Sequence, residues 1–138
     1  MLSDVSAEIL KAFQTLLSGQ LTYNTKTVPV FSVVASKTIS PAWITISQFN
    51  QAESGAKTYI GNRCSILIEV NMKDDYKGLV TLTNAMLALI YPNKNQTITL
   101  ESSTMLTIFE PNINELTEQL DDALYLRKLV RIEFLIIQ

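Results

Sequence analysis

The chain has 138 residues, 47% hydrophobic and 17% charged, with 11 basic against 13 acidic residues and a net charge of −2. That length suits one domain spanning residues 1–138, able to bury roughly two-thirds of the surface its unfolded chain exposes. The balance lacks the clustered basic excess that drives nucleic-acid binding, and the longest apolar run, Met86 to Tyr91, falls far short of the ~20 residues that span a bilayer.

The N-terminal segment, Ser3 to Ser18, reads as a helix, because Val5, Ile9, Phe13, Leu16 and Leu17 form one stripe at helical spacing. Ser3 or Asp4 is the expected N-cap, and Gly19 stands where a left-handed C-cap is cheap. Asp4 and Glu8 occupy the place of a leader's basic region, so no signal peptide is expected. Thr27 to Ala35 is β-rich, but Pro29 lacks a ladder donor and marks an edge strand or an irregular start. A second strand begins at Pro41, with Ile44 and Ile46 on one face and Trp43, Thr45, Ser47 and Phe49 on the other.

Asn50 to Gly61 is polar and reads as a long loop, a length often associated with function. Arg63 to Asn71 alternates clearly: Cys64, Ile66, Ile68 and Val70 face one way, Arg63, Ser65, Glu69 and Asn71 the other. A second helix is expected over Leu79 to Ile90. Asp74 sits before it to suit the helix dipole, and Pro92 ends it. Two short strands are expected at Thr97 to Leu100 and Met105 to Phe109, then a connector, Asn112 to Asp122, as a helical turn or an extended loop. The last run, Leu124 to Ile137, alternates Val130, Ile132, Phe134 and Ile136 with Arg131 and Glu133. So apolar a terminal strand must be paired within the sheet or used in a contact. The expected class is α+β: an antiparallel β-sheet of about four to six strands with two helices packed on one face.

Catalytic equipment is sparse. The chain has no histidine, which removes the commonest general base and metal ligand. The one cysteine, Cys64, cannot form an internal disulfide and lies on an apolar parity, as a small buried hydrophobe does. Its four glycines form no phosphate-cradling motif. Asp74-Asp75 and Asp121-Asp122 read as charged turns rather than as acid/base or cation sites. An enzyme is not expected; nor is a cofactor or a metal.

Arg127, Lys128 and Arg131 form the one basic cluster, with Arg127 and Arg131 on the parity of Glu133. They suit either cross-strand pairing with Glu69 or another outer acid, or contact with a passing polyanion. Trp43 and Phe49 are either covered by a loop or exposed as a protein contact. With Lys57 in the polar loop and Arg63 on the polar strand face, the candidate interface set is Trp43, Phe49, Lys57, Arg63, Glu69, Arg127, Arg131 and Glu133.

Four features carry a resemblance across nearly the whole chain. They are the helix over Leu2 to Leu17; Val-Pro-Val-Phe at Val28 to Phe31 followed by Pro-Ala-Trp-Ile at Pro41 to Ile44; Ser-Ile-Leu-Ile-Glu-Val at Ser65 to Val70 before an acidic loop and a helix; and Leu126-Arg127-Lys128-Leu129-Val130-Arg131-Ile132-Glu133-Phe134 near the end. Together they resemble the tail terminator, or tail completion, proteins that join head to tail in tailed bacteriophages. Trp43 replaces a more typical tyrosine, and the connector is richer in acid than the family pattern. The resemblance implies a structural virion protein, made in the host cytoplasm, that forms a homo-oligomeric ring at the neck. Its partners would be copies of itself and neighbouring neck, connector or tail proteins, with DNA only in transit through the channel and no membrane. The alternative is a small binding or scaffold module that recognises a partner by edge-strand addition.

Overall fold

The computed structural model describes residues 3–32, 40–53, 61–93, 97–120 and 123–137. The first helix, α1, is Ser6–Leu17, with Ile9, Phe13 and Leu17 buried. It starts later than the stripe suggested. Asp4 caps it from outside, its Oδ1 accepting from the Ser6 amide at 2.8 Å. The helix ends as Ser18 turns extended, and Gly19, at φ +76°, completes the tight turn in which the Gln20 amide donates to the Leu17 carbonyl at 3.2 Å. Next comes a hairpin that the residue pattern did not suggest, β1 (Thr22–Tyr23) paired with β2 (Lys26–Thr27). Its turn residues, Asn24 (φ 50°) and Thr25 (φ 66°), are both left-handed, as a tight hairpin turn needs. Threonine seldom supplies that conformation, so the turn has no readable signature.

The main sheet contains β3 (Val30–Ser32), β4 (Ala42–Glu53), β5 (Gly61–Lys73), β6 (Thr104–Ile108), β7 (Asn112–Leu120) and β8 (Ala123–Ile137). The order is β3-β4-β5-β8-β6, with β7 also paired to β8. The class is α+β as expected, but the sheet is mixed: β3 runs parallel to β4, and every other pairing is antiparallel. Pro29 does mark an edge strand. That strand is shorter than the β-rich run, whose residues 33–35 lie outside the described set.

Three further expectations are corrected. Asn50 to Gly61 is not one loop: β4 continues to Glu53, β5 begins at Gly61, and residues 54–60 lie outside the described set. Thr97 to Leu100 is not a strand; the segment is anchored just beyond it by Ser102-Ser103, whose amides and hydroxyls donate to the Glu8 carboxylate at 2.7 to 3.1 Å. Asn112 to Leu120 is neither a helical turn nor a loop but the strand β7, antiparallel to β8 without a break from Asn112↔Arg131 to Leu120↔Ala123.

The second helix, α2 (Tyr76–Ile90), begins three residues before the apolar stripe because Asp75, not Asp74, caps it, accepting from the Gly78 amide at 2.9 Å. Asp74 instead turns the chain at φ 57° and clasps β8, its Oδ1 accepting from the Leu124 amide at 2.7 Å. Gly78 is required by crowding. A Cβ there would lie 2.4 Å from an Asp75 carboxylate oxygen and 2.9 Å from the Tyr23 ring.

Both helices cover one face of the sheet. Phe13 of α1 meets Phe134 of β8 with ring centroids 5.8 Å apart, and Leu79, Leu82, Met86 and Ile90 of α2 join the same buried cluster. Val130, Ile132, Phe134 and Ile136 are all fully buried. Each such side chain contributes about 1.5–3 kcal/mol relative to exposure, which is why the apolar terminal strand is central, with β5 on one flank and β6 and β7 on the other.

Candidate interaction surface

The face of the sheet opposite the helices is organised by strand register. Residues paired across antiparallel strands point to the same side, so the ladders line up rows on this open face. One row is Trp43, Asn71, Arg127 and Leu116. The next is Phe31, Thr45, Glu69, Leu129 and Asn114, and beside it run Ser47, Leu67, Arg131 and Asn112. Asn50, Ser65 and Glu133 form another, and Ala52, Arg63, Leu135 and Thr107 the last. Six of the eight candidate residues therefore share one surface: Trp43, Arg63, Glu69, Arg127, Arg131 and Glu133.

The other two are not on it. Lys57 lies outside the described residues. Phe49 belongs to the helix-covered face, because β4 carries a bulge at Gln48: two residues of β4, Gln48 and Phe49, lie between Ser47↔Leu67 and Asn50↔Ser65, against one of β5, Ile66. Gln48 takes φ 51° to absorb the extra residue. The bulge inverts the parity expected for the rest of the strand, so Phe49 packs on the core. Gln51 likewise turns to α1, accepting from the Val5 amide at 3.2 Å and donating to the Ser3 carbonyl at 2.8 Å.

The charges on the open face pair in a pattern that the alternation did not specify. Arg63 meets Glu133 at 2.7 Å and lies over the Phe109 ring, 4.5 Å from its centroid. Arg127 approaches Glu118 of β7 at 3.7 Å. Arg131 donates to Gln48 at 3.2 Å and to Ser65 at 3.5 Å. Glu69 does not pair with Arg127 or Arg131; its row neighbours are Thr45 and Leu129. These exposed ion pairs are each worth at most about 1 kcal/mol. Lys128 leaves this face altogether. It is bonded to Glu115 beneath the Tyr76 ring, and that hydrogen bond raises its pKa above the usual lysine value.

Beside this face the β7–β8 hairpin stands out from the body. Every residue of β7 is exposed, and Ile113, Leu116 and Leu120 each keep 46% of their surface in water. Leu116 and Leu120 pair with Arg127 and Ala123 and so continue the open face, whereas Ile113 pairs with Val130 on the helix side. With every position exposed, the segment carries no apolar alternation that would have marked it as a strand.

Groups suited to chemistry are few. Cys64 is buried, and desolvation pushes its thiol up to about 11, far from a reactive thiolate at neutral pH. Among the described residues no group of three His, Cys, Asp or Glu could hold a metal ion. Between the β1–β2 hairpin and α2 lies an open depression of about 350 Å³ lined by Tyr23, Asn24, Asp75, Lys77 and Thr81. Its carboxylate is already occupied: Asp75 accepts from Tyr23 at 2.6 Å, a bond that, with the Gly78 amide, holds its pKa below the usual aspartate value. Among the described residues no helix is long and apolar enough to cross a membrane.

No protein-family model and no curated protein sequence matches the chain. The fold is similar to that of a chain in the virion of a native gene transfer agent particle. The TM-score is 0.70 at 11% sequence identity, covering 96% of this chain and 98% of the other. At that identity the likeness is one of fold.

Proposed function

We propose that this chain is a structural subunit of a phage-type virion that forms a homo-oligomeric ring at the neck or tail junction. The ring would complete the tail, join it to the head and leave a channel for DNA. The observation that carries the reading is the end-to-end likeness of fold to a virion chain. The tail terminator pattern in Val28–Phe31, Pro41–Ile44 and Leu126–Phe134 agrees with it. Among the described residues the helices lie on one side of the sheet only, which also supports it, because a subunit in a ring needs surface for its neighbours. Within this reading Trp43, Arg63, Glu69, Arg127, Arg131 and Glu133 form the subunit contact or the channel wall.

Native mass measurement and negative-stain imaging of the purified chain, with imaging of particles carrying a tagged copy, test the proposal. Closed rings, and the tag at the head–tail junction, are the expected results. Absence of the tag from particles, or its presence over the shell instead, overturns the reading. Trp43→Ala is expected to abolish the rings while leaving the unfolding midpoint nearly unchanged.

A further inference from the structure

The open face carries one cation and one anion that the subunit leaves unmatched. Arg63 has Glu133 and Arg127 has Glu118, whereas among the described residues Arg131 meets only the neutral Gln48 and Ser65, and Glu69 meets no cation. The two sit at the middle of the face. Leu67 stands opposite Arg131 and Glu69 opposite Leu129, so these four form a square with one charged diagonal and one apolar diagonal. The apolar diagonal continues outward to Leu116 of β7. Leu116 keeps 46% of its surface in water, and Leu129 is half-buried.

Such a pattern matches a second copy of itself. A half-turn about the apolar diagonal lays two sheets face to face about 10 Å apart and sets Arg131 of each copy against Glu69 of the other, the reciprocal pairing of a two-fold contact. Leu67, Leu129 and Leu116 then each meet their own counterpart along the axis. The flanking positions also match: Leu135 falls against Phe31, Ser65 against Ser47, and Asn71 against Asn112. Arg127 and Glu133 meet the neutral Asn114 and Thr45, so no like charges face each other. The other half-turns of the square fail. About the charged diagonal, Arg131 would meet Arg131 and Glu69 would meet Glu69; about a line along or across the strands, each would face a leucine. We propose that the open face is a two-fold contact between two copies of this chain, with the leucine diagonal on the axis and an Arg131–Glu69 pair on either side. The face presents about twenty residues, which suits a standard interface of about 800 Å² per partner. Strand spacing and rise put the diagonal about 35° from the strands, so the strands of the two copies cross at about 70°, nearer the orthogonal class of sheet packing. The contact is independent of ring closure, which needs a head-to-tail interface.

The test uses the full chain with charge reversal and with a single reporter thiol. Leu129→Cys, on the axis, is expected to link to its own counterpart through a short bis-maleimide, whereas Leu135→Cys, far from the axis, is not; Cys64 is buried and does not compete. Placed in the Leu129→Cys background, Arg131→Glu and Glu69→Arg are each expected to weaken the pairing by about a hundredfold or more. Mixing these two variants is expected to restore it to within about tenfold of the parent, because every facing pair is then opposite again. Recovery on mixing also shows that both variants are folded. Failure of the mixture to link overturns the proposal, as does equal linking by either reversal alone or no linking of the Leu129→Cys chain at about 1 mM. Closed rings in which Leu129→Cys stays unlinked leave the ring standing and overturn this contact.

Discussion

Deleting Gln48 is the sharpest test of how β4 is built. In the structure Gln48 is the surplus residue of a bulge, so without it Ser47, Phe49 and Asn50 fall opposite Leu67, Ile66 and Ser65 in regular register. Phe49 stays on the core and Gln51 stays on α1. Removing a left-handed non-glycine residue recovers about 1–2 kcal/mol of backbone strain. Losing its exposed hydrogen bond with Arg131 costs about 0.5–1 kcal/mol. The deletion is therefore expected to be neutral or stabilising by about 1 kcal/mol, a rise of about 0.5 M in the urea midpoint with unchanged slope. Were Gln48 an ordinary in-register residue, its removal would turn every side chain from Phe49 to Glu53 to the opposite face. A loss greater than about 3 kcal/mol would refute the bulge.

Three further perturbations separate the roles assigned above. Phe134→Ala removes a fully buried ring packed on Phe13 and should cost about 3–5 kcal/mol in denaturant unfolding. Gly78→Ala, which in an open helix would gain up to about 1 kcal/mol, should instead destabilise by about 1–2 kcal/mol, since the new Cβ displaces the Asp75 cap; a gain in thermal midpoint would contradict that crowding. Burial by itself would raise the pKa of Glu8, but the four hydrogen bonds from Ser102 and Ser103 together outweigh it and hold the carboxyl below the usual glutamate value. The stability it contributes is thus present above about pH 4.3 and is lost as pH falls through the lower folded value. Glu8→Gln should flatten that part of the acid-unfolding profile, and an unchanged profile would count against the anchor.

Periodicity exposed much of this architecture because burial on one face leaves a direct imprint on spacing. The stripe Val5, Ile9, Phe13, Leu16 and Leu17 and the alternations through Cys64–Val70 and Val130–Ile136 each name a core face, and the structure buries their apolar residues except Leu16, which is partly buried against the same core. The absence of histidine was legible in the same way, as a bound on chemistry that needs no coordinates. What stayed hidden were features in which burial leaves no pattern. β7 is exposed at every position, so it carries no apolar alternation, and its strand identity comes only from the ladder with β8. The parallel placement of β3, the Glu8 clasp on Ser102-Ser103 and the pairing of Arg63 with Glu133 join residues distant in sequence. Phe49 shows the limit most plainly. One extra residue at Gln48 changes the face of everything after it, and no local propensity announces a bulge whose cause is the register of its neighbour. Which strands and helices have a greasy side is written in the residues alone, because water reads each side chain singly. Which polar residues share the open face emerged only when the strands came together, because that property belongs to pairs of strands.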